Sequence, residues 1–277
     1  MKDLKEIVKE KYTEIAHQSG MNTQSCCGSG GGCCGSKDYS MFNDSYQKIS
    51  GYVPDADLGL GCGVPTQYAK IKMGDTVVDL GSGAGNDCFV ARKLVGNEGL
   101  VIGVDMTEAM IALANKNCEK HGFENVQFRL GDIENMPIGA SKADVVISNC
   151  VLNLVPDKKR AFSEIYRILK SKGHFSISDV VLIGELPESI LNAAEMYAGC
   201  VSGALQKEQY MDFIHNQGFV NIQIQKEKEI IIPDEVLLDY MTESELVSFN
   251  RSKTGIFSIT VYGEKPDCGA CSTCSCS

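Results

Sequence analysis

Residues 76–87 read T-V-V-D-L-G-S-G-A-G-N-D, and this stretch decides the fold class. Val77, Val78 and Leu80 favour an extended, buried strand. Asp79 marks its end, and Gly81, Gly83 and Gly85 follow at alternate positions, where backbone N–H groups can approach a ligand that any Cβ would obstruct. The helical pattern that comes next points its N-terminus at the same place. The spacing G-x-G-x-G departs from the G-x-G-x-x-G of nicotinamide dinucleotide sites. About 24 residues beyond the first glycine, V-I-G-V-D ends in Asp105, near the position expected of a ribose-binding acid. Together these features indicate an adenosyl ligand, with S-adenosylmethionine ahead of NAD.

Working outward, apolar runs predict strands at 76–80, 100–105, 126–130, 143–148 and 174–181, with helical patterns at 86–95, 107–121 and 158–170 between them. Strands alternating with helices of this length imply an α/β fold, a Rossmann-like doubly wound and mostly parallel sheet with its ligand at the strand C-termini. Asp79, Asp105 and Asp132 fall at or just after three successive strand ends. A single aspartate there is as readily a helix cap or a solvated turn. Three in succession read as a site, with Asp105 on the ribose hydroxyls and Asp132, followed by Ile133, at the adenine edge. Gly81, Gly83, Gly85, Met106 and Asn149 complete the expected cofactor set.

The flanks divide the chain into residues 1–45 (an amphipathic helix over 3–17, then a cysteine-rich arm), a cofactor domain over 46–183, a lid region over 184–265 and a tail over 266–277. Within the lid region the pattern predicts a helix broken at Gly199, a helix at 206–217, strands at 219–225 and 228–232, a short helix at 235–241 and a last strand at 256–263. The last strands suit an antiparallel extension of the sheet, and the helices of 185–217 are expected to cover its ligand edge.

A 277-residue chain that is 43% hydrophobic can bury a sizeable core without disulfides. Its formal net charge of -10 argues against nucleic acid, polyphosphate or an anionic membrane as partner. No apolar stretch reaches membrane-spanning length and the first 19 residues lack a secretory core, so a cytoplasmic protein is expected. With no coiled-coil or exposed apolar stripe, a monomer is expected.

Thirteen cysteines in such a compartment indicate thiol or metal chemistry rather than a disulfide scaffold. Cys26, Cys27, Cys33 and Cys34 lie in S-C-C-G-S-G-G-G-C-C-G, and Cys268, Cys271, Cys274 and Cys276 lie in the tail. The first group is either a linker with incidental thiols or a capture arm; the second suits zinc, copper or a thiol reservoir equally. Cys62, between Gly61 and Gly63, reads as an unshielded thiol. Cys150 ends the fourth strand, on the rim of the glycine loop, and Cys200 follows Gly199. For Cys88 and Cys118, inside helices, packing is the better reading.

The motifs L-G-L-G-C-G at 58–63, D-L-G-S-G-A-G-N-D-C at 79–88, V-I-S-N-C-V-L-N-L-V-P-D at 146–157 and A-G-C-V-S-G-A-L at 198–205 together resemble those of the arsenite S-adenosylmethionine methyltransferases. The resemblance runs from the N-terminal helix to about Tyr262. It implies that Cys62, Cys150 and Cys200 bind trivalent arsenic, that one of Cys26, Cys27, Cys33 and Cys34 matches a further family cysteine, and that arsenite and methylated arsenicals are handled with a thiol reductant, glutathione or thioredoxin. Leu60 departs from the aromatic residue of animal members. Trivalent arsenic is soft and pyramidal, so three thiolates suit it and leave its lone pair open toward the methyl donor. A methyltransferase of another small molecule would not need the rim cysteines, and a non-enzymic arsenic-binding or metal-binding protein would not need the adenosyl pocket.

Overall fold

The computed structural model describes residues 4–21, 46–188, 190–191, 201, 203–252 and 254–267. An N-terminal helix α1 (Leu4–Met21) precedes β1 (Thr76–Leu80), α2 (Asn86–Val95), β2 (Leu100–Asp105), α3 (Glu108–His121), β3 (Val126–Leu130), β4 (Ala143–Asn149), α4 (Lys158–Ile168) and β5 (Leu169–Ile183). The remainder comprises β6 (Leu205–Gln206), α5 (Lys207–Asn216), β7 (Val220–Glu229), α6 (Asp234–Leu237), α7 (Glu243–Arg251) and β8 (Gly255–Glu264).

Among the described residues the strands form one sheet in the order β3-β2-β1-β4-β5-β8-β7, with β6 paired to β5. Strands β1 to β5 are mutually parallel, and β8 runs antiparallel to both β5 and β7. Strand β1 lies between β2 and β4, so the chain reverses its direction of winding there and opens a crevice beyond the strand C-termini. Leu80 pairs with Val104 on one side and Ser148 on the other, which brings the glycine loop, Asp105 and Asn149 to one rim.

Alternation along the strands divides the core. Val78 and Leu80 join Val146, Phe162, Ile165 and Phe175 on the α4 face, whereas Val77 joins Phe89, Val101 and Ile147 on the α2 face. A third cluster, beyond the rim, contains Cys62, Cys150, Val180, Val201, Ile230, Ile232, Leu237, Leu246 and Ile256.

Three details depart from the sequence pattern. The two strands expected at 219–225 and 228–232 are one, β7, because Lys226–Glu229 stay paired along an exposed sheet edge, where charge is a protection against further pairing. The helix expected at 206–217 forms as α5, but Tyr210 and Ile214 bury it in the α4-face core rather than over the ligand edge. Helix α7, absent from the expectation, starts at a capping box in which the Thr242 hydroxyl accepts from Glu245 N while the Glu245 carboxylate accepts from Thr242 N. The break expected at Gly199 lies outside the described residues.

Candidate active site

A cleft of about 1090 Å³, its open mouth included, lies at the C-terminal ends of β1, β2 and β4 and is walled on one side by Lys5, Val8 and Tyr12 of α1. The glycine loop forms its floor. Gly81 has φ +66 and an added Cβ would stand 2.5 Å from Val151, so backbone conformation and space both demand glycine. Gly83, at φ +50, has nothing within 4 Å of that position, which leaves its Cα face open to a ligand.

Asp105 is bound into the same loop. Its carboxylate accepts from Gly83 N at 3.0 Å and Thr107 N at 2.8 Å; burial still raises its pKa against these donors. Asp79 is buried and accepts from Cys88 Sγ at 3.2 Å. Burial, reinforced by the charge of Asp87, holds its pKa well above the carboxylate range. Asp87, in the first turn of α2, accepts from Tyr46 Oη at 2.8 and 2.9 Å and from Asn149 Nδ2 at 3.1 Å. Its pKa is raised to about 6, because burial outweighs those donors. No lysine or arginine among the described residues bonds either acid. A cationic ligand is therefore the favourable occupant.

Two more polar atoms in the cleft wall, Ser82 Oγ and Asn86 Oδ1, are buried without a hydrogen-bond partner among the described residues. Orphaned donors and acceptors, an open glycine face and two uncompensated acids fit the amino-acid and sulfonium end of S-adenosylmethionine. Met106 and Ile133 supply apolar wall, and Asp132 lines the cleft while accepting from Lys5 Nζ at 2.6 Å.

Cys150 belongs to both the cleft wall and the third apolar cluster, which also contains Cys62. It takes φ +60, a conformation costing a non-glycine residue about 1–3 kcal/mol, and its N–H donates to Ser178 O at 2.8 Å. Cys62 is not unshielded: it is 4% exposed. Its glycine neighbours serve close approach, since a Cβ at Gly61 would lie 2.5 Å from Asn149 Nδ2 and one at Gly63 2.6 Å from Ser178 Oγ. Cys62 N donates to Asn149 Oδ1 at 3.1 Å and Cys62 O accepts from Ser258 Oγ at 2.7 Å, which fixes the loop at both ends of the residue.

Cys200, Cys26, Cys27, Cys33, Cys34 and the tail cysteines lie outside the described residues. Val201, the neighbour of Cys200, shares the cluster of Cys62 and Cys150, and an added Cβ on Gly203 would overlap the carbonyl oxygen of Asn153 just after β4. Cys88 and Cys118 are buried and bonded within the fold, to Asp79 and to the Phe123 carbonyl.

Residues 71–218 match a family model described as a methyltransferase domain. An arsenite methyltransferase of Halobacterium salinarum is 38% identical over 95% of this chain and 67% of its own length. The chain belongs to the arsenite methyltransferase family. This is a family of class I methyltransferases dependent on S-adenosylmethionine. The human arsenite methyltransferase is 38% identical over 65% of this chain and 52% of its own length, so the chain spans about half to two thirds of these relatives. Among solved structures, an arsenic (III) S-adenosylmethionine methyltransferase from Chlamydomonas reinhardtii superposes with a TM-score of 0.61 at 37% identity, covering 73% of this chain and 66% of the other. YcgJ of Bacillus subtilis, at 19% identity and a TM-score of 0.59, shares the fold.

The structure places in the cleft wall residues that sequence patterns did not single out: Lys5 and Tyr12 from α1, Tyr46, Ser82, Asn86 and Asp87. Asp87 was legible in principle, as a second acid inside the glycine motif. Tyr46 carried no signal, because its partners lie 41 and 103 positions away.

Proposed function

We propose that this chain methylates trivalent arsenic, arsenite and its methylated products, with S-adenosylmethionine as methyl donor and a thiol reductant such as glutathione or thioredoxin as co-substrate. One observation carries the reading: Cys150 lines the cofactor cleft and packs in one cluster with Cys62 and the neighbour of Cys200. When bound, S-adenosylmethionine supplies a methyl group on a sulfonium.

The glycine loop and Asp105 hold the adenosyl end, Asp132 and Ile133 meet the base, and Asp79 and Asp87 offset the positive charge. Cys62, Cys150 and Cys200 form three arsenic–sulfur bonds in exchange for three arsenic–oxygen bonds. Each thiol proton leaves with a hydroxide as water. A soft atom held in this way keeps its lone pair on the open side, toward the cleft, and needs no general base to act as a nucleophile. The arsenic–carbon bond would form as the donor's sulfur–methyl bond breaks, taking arsenic formally from III to V, and two thiols of the reductant, leaving as a disulfide, would return it to III. The protein's contribution is proximity and alignment, an effect that reaches about 7–11 kcal/mol when the geometry is near attack.

The test is incubation of the purified chain with arsenite, glutathione and S-adenosylmethionine, followed by separation of the arsenic species. Methylated arsenicals are expected from the wild type and none from Cys150→Ser or Cys200→Ser, whereas Cys62→Ser retains turnover of monomethyl arsenic, which offers only two positions to thiols. Unmethylated arsenite in every wild-type reaction overturns the proposal.

A further inference from the structure

Asn149 sits between two loops that the sequence separates by about twenty residues yet that must act on one transferred group. Its Oδ1 accepts from Cys62 N at 3.1 Å and Gly63 N at 3.3 Å. Its Nδ2 donates to Gly63 O at 2.9 Å, to Asp87 Oδ2 at 3.1 Å and to the Tyr46 hydroxyl at 2.8 Å. Tyr46 in turn reaches Asp87 through both carboxylate oxygens and Gly63 O at 3.1 Å. The thiol loop, the end of β4 and the first turn after the cofactor loop are thus joined by one hydrogen-bonded network, buried at Tyr46 and Asp87 and half-buried at Asn149.

The network is rigid for physical reasons. Tyr46 is 2% exposed, its ring packed with Val64 and Val90, and a hydroxyl and a carboxylate buried together must keep their partners or bear the full desolvation cost. Tyr46, Gly61, Asp87 and Asn149 all face the cofactor cleft. A ligand pressing on Asp87 therefore bears on the same bonds that fix the backbone of Cys62.

We infer that Tyr46, Asp87 and Asn149 form a positioning network that registers the Cys62 loop against the cofactor loop, with Asn149 as the direct link and the Tyr46 hydroxyl as the tie that holds its amide, the Asp87 carboxylate and Gly63 O in place. It rests on the proposed arsenic chemistry for its effect on turnover, but not for its effect on Cys62 itself. Tyr46→Phe removes the tie and keeps the ring. At pH 8.5, where Asp87 is ionised with or without the Tyr46 hydroxyl, the variant is expected to bind S-adenosylmethionine within about twofold of wild type by calorimetry, while kcat for arsenite falls about tenfold to a hundredfold, the loss that a hydrogen bond to a charged group implies.

An unchanged kcat in Tyr46→Phe, or a cofactor Kd that weakens in proportion to kcat, overturns the inference. The wild type supplies a second reading: alkylation of Cys62 by a maleimide, mapped by mass spectrometry, should slow at least threefold when S-adenosylmethionine is present, and Tyr46→Phe should lose that protection. Equal rates with and without S-adenosylmethionine in the wild type also overturn it. If the wild type shows the protection but methylates no arsenic, the proposed function falls and the network stands.

Discussion

Asp87 shows how a single buried acid can report on the ligand it awaits. Its pKa is raised to about 6 because burial dominates. A cation bound beside it favours the carboxylate and lowers that value, so binding below pH 6 must expel a proton. Affinity for S-adenosylmethionine should weaken as the pH falls through about 6. Calorimetry is expected to show a Kd about tenfold weaker at pH 5 than at pH 7.5, one pKa unit being a factor of ten. Asp87→Asn should bind weakly with no such slope, and a wild-type Kd independent of pH would count against a cation contact. At this scale the legible residues were those whose role is local: Gly81, Gly83 and Asp105 act within a strand end and its loop. The glycines around Cys62 were visible but their reason was not, because it is Asn149 and Ser178, brought in from β4 and β5, that need the space.

Elements were read well where burial is two-sided and periodic, as in β1 to β5, and poorly where an edge or a cap decides. Strand β7 keeps its charged end paired through β8, and α7 depends on one capping box rather than on a wide apolar face. That box offers a test of what covers the thiols, since Leu246 of α7 belongs to the cluster of Cys62 and Cys150. Thr242→Ala should cost about 1 kcal/mol of stability, typical of a lost N-cap. It should also raise the alkylation rate of Cys150 by local opening of α7 while leaving the far core unchanged in hydrogen exchange. Equal alkylation in both proteins would show that α7 is not the cover. Helix α1 is the second element with a readable duty. Lys5 bonds Asp132 and Glu134, and Lys9 lies 3.8 Å from Glu108, which links the helix to the Asp132 side of the cleft. Lys5→Met should raise KM for S-adenosylmethionine several-fold with little change in kcat; a change confined to kcat would refute a role in holding the cofactor.

For the molecule as a whole, the buried carboxylates set how stability follows pH. Asp179 on β5 is fully buried, accepts from Val180 N at 3.0 Å and from Tyr210 Oη at 3.3 Å, and has its pKa raised to about 7 by burial, against the pull of Lys158. With an ordinary value of 3.8 in the unfolded chain, the folded state holds the proton more tightly across the window from about 4 to 7. Its contribution to stability is therefore present in full below about pH 4, declines as pH rises across that window and is gone above about 7. His174, whose pKa burial lowers, works in the opposite sense near its ordinary 6.5, so the whole-protein curve blends the two. Asp179→Asn isolates the first, because an amide keeps the shape and an acceptor for Val180 N but cannot ionise. The melting-temperature gain of the variant over the wild type should be smaller at pH 5 than at pH 8, by about 2–4 °C for each kcal/mol in a chain of this size. An increment that is the same at both pH values would mean that Asp179 is not protonated in the folded protein at pH 5, and that Lys158, rather than a proton, balances it.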